Sequence, residues 1–230
     1  MTDIMEGHIY KAFDAELREL KEKLLFEGGL VERAIQNASN ALMERRSDTA
    51  EKVIEEDDVI NSKEVEIDEF CLKLLALRQP AARDLRFITT AIKINYDLER
   101  IGDLAVNVCE RALELNKEPQ LKPYIDIPTM AYTVQLMLKE CLDAFVKEDV
   151  ELALKVTRDD ERVDQLLDQI FRELLTYMVQ DMKTITRATR LLFISKYLER
   201  MADHAVNIAE LVIFMVEGRI IRHIKAPSGE

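Results

Sequence analysis

The chain has 230 residues and a formal net charge of −12, enough length to bury a substantial core in one domain or two small ones. The acidic balance excludes general nucleic-acid binding, because phosphates would be repelled. Six Gly, five Pro and no Trp, amid abundant Leu, Glu, Lys, Ala and Arg, predict a mostly helical protein.

The N-terminus Met1-Thr2-Asp3 carries no charged region followed by an apolar core, and the longest apolar run, residues 211–216, is too short to cross a bilayer. Cys71, Cys109 and Cys141 form no CxxC pair and each sits in an apolar helical pattern. Buried, reduced thiols and a cytoplasmic protein without membrane insertion are expected.

The first helix is predicted over residues 3–46. Gly28-Gly29 interrupts it at about 1 kcal/mol per Gly relative to Ala, which predicts a bend or a close helix contact there. Asp48 with Glu51 has the form of a capping box opening helix two. Helix two carries Val53, Ile60, Ile67 and Leu74 at every seventh position, with Asp57, Glu64 and Cys71 between them on the seam. Gln79-Pro80 ends it, and Pro80 is expected in the first turn of helix three. Helix three places Phe87, Ala91, Ile94, Leu98, Ile101, Ala105, Val108, Ala112 and Leu115 on one stripe, spaced alternately four and three.

Pro119, Pro123 and Pro128 make the densest breaker region of the chain, where helix cannot continue. Helix four is expected over residues 129–147 with Asp126 as N-cap, and helix five over residues 149–178. Helix six carries Leu191, Ile194, Leu198, Met201, Ala205, Ile208, Val212 and Met215 and stops near Gly218. Short turns and apolar stripes predict an all-α protein of two tandem, pseudo-symmetric antiparallel three-helix bundles. Their bounds are residues 1–118 and 129–218, with a Pro-rich link at 119–128 and a frayed polar tail at 219–230. A single long bundle is the alternative.

One stretch occurs twice. Leu98-Glu99-Arg100-Ile101-Gly102-Asp103-Leu104-Ala105-Val106-Asn107 returns one hundred residues later as Leu198-Glu199-Arg200-Met201-Ala202-Asp203-His204-Ala205-Val206-Asn207. A shift of 103 residues likewise maps Asp57 and Asn61 onto Asp160 and Asp164. Residues four apart lie one above the other on a helix, so each half stacks Glu99 on Asp103, or Glu199 on Asp203, with Asn107 or Asn207 a turn further on. These residues fall off the apolar seam. Like charges at that spacing disfavour a helix by about 0.2–0.5 kcal/mol per pair, and a hard cation such as Mg²⁺ or Mn²⁺, or iron, would compensate. Arg100 and Arg200, three residues before Asp103 and Asp203, offer plain salt bridges worth about 0–1 kcal/mol instead. On chemistry alone the two readings stand equal.

Asp57 and Asp160 are placed at the seam edge, reaching outward, since a core carboxylate is costly unless paired. His204 is expected to be a hydrogen-bonded surface residue, while His8 and His223 stay unassigned. The chain has no Gly-rich phosphate loop, no HExxH and no ExxH pair, and Ser195 has no His and Asp arranged to activate it.

Asp84-Leu85-Arg86 followed by Asp97-Leu98-Glu99-Arg100-Ile101-Gly102-Asp103, with the second-half stretch from Tyr197 to Glu210, resembles the signature of the PhoU family of phosphate-uptake regulators. The resemblance covers nearly the whole chain. It implies two three-helix bundles with metal clusters (Fe, Mn, Mg or Zn) on E/DxxxD surface motifs. On that pattern Glu99, Asp103, Glu199, Asp203, Asp160, Asp164 and Asp57 map onto ligands. Asn61 stands where the pattern has Asp, so the first site would be the weaker. It further implies a cytoplasmic, dimeric, non-enzymatic adaptor. Such an adaptor represses the phosphate-starvation response through a membrane sensor histidine kinase and the ATPase of the phosphate ABC transporter. A di-metal carboxylate enzyme and a metal-free structural adaptor are the alternatives.

Overall fold

The computed structural model describes residues 2–219, with side chains from residue 12 onward; the side chain of His8, and His223 with the tail beyond residue 219, lie outside the description. Six helices form in order: α1 (Thr2–Met43), α2 (Ser47–Arg78), α3 (Ala82–Asn116), α4 (Asp126–Lys147), α5 (Val150–Gln180) and α6 (Ile185–Glu217), the last preceded by a short 3₁₀ turn, Met182–Thr184. The all-α class and the six expected helices are therefore present.

The amphipathic stripes end up where their spacing directs them. The α3 stripe from Phe87 to Leu115 and the α6 stripe from Leu191 to Met215 are buried along their lengths. α1, α2 and α3 pack together, as do α4, α5 and α6, while α3 on α6 and α1 on α4 join the halves. Phe87 of α3 stacks on Phe145 of α4 at 5.5 Å between ring centroids. One continuous hydrophobic core results. Gly28-Gly29 does not break α1. It makes the close contact instead, since a Cβ on Gly28 would collide with Leu142 Cδ1 of α4.

Several helix ends differ from expectation. α1 stops at Met43, because Arg45 takes a left-handed φ of 56°. α2 then starts at Ser47 on an Arg46 N-cap without a side-chain cap. The Asp48–Glu51 capping box is thus not formed: Asp48 is already helical and pairs with Arg46 Nη2 at 2.8 Å. Pro80 sits in the turn rather than in the first turn of α3, because Gln79 adopts φ 47° and α3 opens only at Ala82. Asp126 is the first residue of α4, not its cap, and accepts a hydrogen bond from Gln169 Nε2 at 3.1 Å. Pro128 thereby falls in the first turn of α4, where a missing N–H costs nothing. Asp149 caps α5 by accepting from Leu152 N at 3.0 Å.

The segment between the halves is tied at both ends. Arg45 Nη2 donates to the carbonyls of Leu115 and Asn116, each at 3.1 Å, and to that of Glu118. Lys122 is buried and its ammonium pairs with Glu173 of α5. The three cysteines are free and buried, and burial pushes the thiols of Cys71 and Cys109 up to about 12. Among the described residues no helix is long and apolar enough to cross a membrane.

Candidate metal centre

α2 runs antiparallel to α3, which sets Asp57 beside Asp103. Gly102 permits the approach: a Cβ there would stand 3.3 Å from Ile60 Cδ1 and 3.6 Å from Asp57 Oδ1. Asn61 Nδ2 donates to Asp57 Oδ2 at 3.1 Å, leaving Asn61 Oδ1 buried and without a partner. Glu99 Oε2 is also buried and makes no hydrogen bond. Arg100 Nε lies 3.1 Å from it, out of hydrogen-bond alignment, while Arg100 Nη1 donates to Asp103 Oδ2 at 3.0 Å. The ion pair expected of the plain surface reading therefore exists in the first half; Arg100 also pairs electrostatically with Glu99, whose Oε2 nevertheless accepts no aligned hydrogen bond.

The second half repeats the arrangement with an Asp in place of Asn61. Asp160 and Asp164 of α5 share a patch with Glu199 and Asp203 of α6. Burial, then Asp164, Asp203 and Glu199, push the Asp160 carboxyl up to about 6. Its Oδ1 and Glu199 Oε2 are buried orphans, although Lys196 Nζ donates to Glu199 Oε1 at 2.5 Å. Burial and Glu199 raise Asp203, and burial and Glu199 likewise raise Asp164. Burial also raises Asp57 and Glu99, with the Asp103 carboxylate adding to both. Each sign is the one expected of carboxylates crowded by like charge with too few cations among them.

Asn107 and Asn207 lie half-buried one turn further along and make no hydrogen bond to either patch among the described residues. His204, expected on the surface, is instead mostly buried and reaches Asp97 of α3, Nδ1 to Oδ1, at 2.7 Å.

The fit to a metal rests on the orphaned oxygens. Asn61 Oδ1, Glu99 Oε2, Asp160 Oδ1 and Glu199 Oε2 are buried acceptors, and a buried acceptor without a partner costs about 1–3 kcal/mol. An all-oxygen donor set suits Mg²⁺ or Mn²⁺ better than Zn²⁺, which favours nitrogen and sulfur. Among the described residues, no three His, Cys, Asp or Glu side chains already stand in a metal-holding group. A cation would have to draw the carboxylates together by side-chain rotation.

Sequence reasoning passed over Glu27. It occupies a seam position of α1, between Leu24 and Val31, is fully buried, and neither of its oxygens has a partner. Burial pushes its carboxyl up to about 9, reinforced by Glu64, Asp68 and Glu99. The available signal was an acidic residue on an otherwise apolar stripe.

The PhoU domain model matches residues 26–112 and again residues 127–212. The phosphate-specific transport system accessory protein PhoU homolog of Pseudomonas aeruginosa is 45% identical over 223 residues, 96% of this chain and 92% of that protein. The accessory protein PhoU of Escherichia coli is 38% identical over 221 residues, 96% of this chain and 91% of that one. Among solved structures, PhoU from Pseudomonas aeruginosa superposes with a TM-score of 0.87 at 45% identity, covering 90% of this chain and 100% of that chain. The phosphate transport system regulatory protein PhoU from Streptococcus pneumoniae does so at 0.86 and 32% identity, covering 91% and 99%.

Proposed function

Because the chain belongs to the PhoU family, we propose that it is an accessory protein of phosphate transport, a cation-binding cytoplasmic adaptor rather than an enzyme. Its relatives in Pseudomonas aeruginosa and Escherichia coli are named as accessory proteins of the phosphate-specific transport system. The observation that carries the metal part is the pair of orphaned glutamate oxygens, Glu99 Oε2 and Glu199 Oε2, at matching places in the two halves. Asp57, Asn61, Glu99 and Asp103 would hold a hard cation in the first half, and Asp160, Asp164, Glu199 and Asp203 in the second. Asn107 and Asn207 would contribute as outer oxygen donors. The bound cation would supply positive charge that neutralises each patch and shapes it for a partner domain.

In this reading the adaptor works as a homodimer. It represses the phosphate-starvation response by engaging a membrane sensor histidine kinase and the ATPase of the phosphate ABC transporter. Elemental analysis of the purified protein beside Asp103→Ala and Asp203→Ala tests the ligand assignment. Metal is expected in the parent and less in each variant; equally low metal in all three defeats it. A pull-down from phosphate-replete cells tests the adaptor role, and recovery of neither the ATPase nor the kinase defeats that.

One observation favours the second reading, a di-metal carboxylate enzyme: an open cavity of about 420 Å³ borders Asp57, lined by Leu30, Arg33, Lys52, Ile60, Gly102 and Val106 among others. Metal-dependent turnover of a phosphate ester that Asp57→Ala abolishes would favour it over the adaptor.

A further inference from the structure

A cleft between α1 and α2, floored by α3, stays open in the first half. Its cavity of about 420 Å³ falls in the range of small-ligand pockets, ~300–1,000 Å³. The floor is apolar: Val53, Ile60 and Gly102 are buried there, with Leu30, Ala34 and Val106 half-buried around them. The mouth is polar and exposed, with Arg33 from α1 and Lys52 and Glu56 from α2.

The second half has the same positions filled differently. A shift of 103 residues carries α1 and α2 onto α4 and α5, and it sets the left-handed Arg45 on the left-handed Glu148. The shift places Ala34 on Met137, a much longer apolar side chain that is 1% exposed. It also places Asn37 on Glu140 and Lys52 on Lys155. There Lys155 Nζ donates to both Glu140 carboxylate oxygens, at 2.7 and 2.5 Å, and so ties α5 to α4. Asn37 offers no charge, and Lys52 pairs instead with Glu56 of its own helix at 3.5 Å. An apolar plug and an ionic tie present in the second half are thus missing from the first.

The charges around the cleft are unevenly committed. Glu56 has Lys52, and Asp57 Oδ2 accepts from Asn61 Nδ2 at 3.1 Å. Apart from the field of its chain neighbour Glu32, Arg33 has no ion pair or hydrogen bond among the described residues. It is a free guanidinium at the edge of an apolar floor, on a chain of net charge −12. A guanidinium presents a planar fork that meets a carboxylate in two parallel hydrogen bonds, and the floor behind it favours hydrocarbon.

We infer that this cleft binds a carboxylate with a compact hydrocarbon body, of the medium-chain fatty acid class, its head on Arg33 and Lys52 and its body on Leu30, Val53, Ile60 and Val106. The inference goes beyond the adaptor reading and needs no cation on either acidic stripe. An occupant would join α1 to α2 as the Glu140–Lys155 pair joins α4 to α5, which makes the first half the one that responds to a ligand.

Calorimetric titration of the full chain with sodium octanoate, with chelator present throughout, tests this. The probes 1-octanol and octylammonium chloride carry the same body on different heads. Octanoate should bind the parent at about one site per chain and raise its Tm, while octylammonium binds no more tightly than octanol. Arg33→Gln should weaken octanoate about tenfold, the loss of one charge-assisted pair, and leave octanol unchanged. Ala34→Met, which copies Met137, should abolish binding of both, with a ligand-free Tm equal to or above that of the parent. Asn37→Glu, which restores a partner for Lys52, serves should Ala34→Met fold poorly, and should weaken octanoate at least as much as Arg33→Gln. Asp203→Ala, in the other half, should bind octanoate as the parent does. Unchanged octanoate affinity in both Ala34→Met and Asn37→Glu, or no binding to the parent at millimolar concentration, overturns the site. Octylammonium bound as tightly as octanoate overturns the carboxylate class. Neither result touches the cation reading, which the metal content of Asp103→Ala and Asp203→Ala decides.

Discussion

His204 Nδ1 stands 2.7 Å from Asp97 Oδ1, a polar contact from α6 to α3 that the pseudo-symmetry of the chain makes only once. The corresponding residues one hundred positions away are Leu104 and Tyr197, which cannot make it. Asp97 is 6% exposed, so losing the imidazole strands a buried carboxylate. His204→Leu is expected to lower unfolding stability by about 1–3 kcal/mol. In urea denaturation, the double variant with Asp97→Asn should cost less than the sum of the singles; strict additivity would show that the two residues are not coupled.

The adjacent glycines of α1 should respond oppositely to alanine. A methyl on Gly29 meets nothing closer than Arg33 Nη1 at 3.7 Å, an ordinary contact. Gly29→Ala should stabilise by about 0.5–1 kcal/mol through helix propensity alone. Gly28→Ala drives a methyl into Leu142, which is itself 3% exposed, and should destabilise by about 1–3 kcal/mol. Midpoints of thermal or urea unfolding decide it, and equal effects from both would remove the close α1–α4 approach.

These cases show what the amino-acid order made legible. The alternating four and three spacing of Phe87 to Leu115 was enough for α3, because burial of that stripe dominates every local preference. Helix starts were less readable. Asp48 and Asp126 carry good cap chemistry but sit inside their helices: the backbone turn at Arg45 makes Arg46 the extended residue before α2, and α4 begins at Asp126 itself after an Ile125 that is already in the helical region. Of the candidate site, the i, i+4 acids were legible because they occur twice. Glu27 carried one local mark, an acid on an otherwise apolar stripe; its nearness to Glu64 and Glu99 is set by the folded backbone and is not written in the residues around it.

Glu16 of α1 takes a two-pronged hydrogen bond from Arg78 of α2, at 2.8 Å from Nε and 2.7 Å from Nη2. The guanidinium holds the Glu16 carboxyl below its usual range. A folded-state value depressed in this way gives stability that is present above the unfolded pKa and lost as pH falls through the folded one. Glu16→Gln should therefore cost up to about 1 kcal/mol at neutral pH, the pair being partly exposed. The cost should shrink to nothing in acid below the carboxylate range. A constant penalty across a pH series of urea melts would contradict the assignment.

Asp160→Asn should have two effects of opposite sign. Burial raises the Asp160 carboxyl to about 6, so the native state holds its proton to higher pH than the unfolded chain. That contribution is complete below the unfolded pKa and is lost as pH rises through about 6. In chelator at neutral pH, Asp160→Asn should raise stability by about 1–2 kcal/mol, with no gain in acid. With excess Mn²⁺ the order should reverse, because the variant forfeits part of the cation-linked stabilisation, about 2.7 kcal/mol at a hundredfold excess over Kd. Matched melts with chelator and with Mn²⁺ give the comparison directly.

The join between the halves is fastened at Arg45 and Lys122 and backed by α3 on α6. A fastened join with a shared core cannot act as a hinge. The two acidic faces are therefore set on one continuously packed body. A surface spanning both halves is thus presented as a single rigid face rather than as two jaws that open or close.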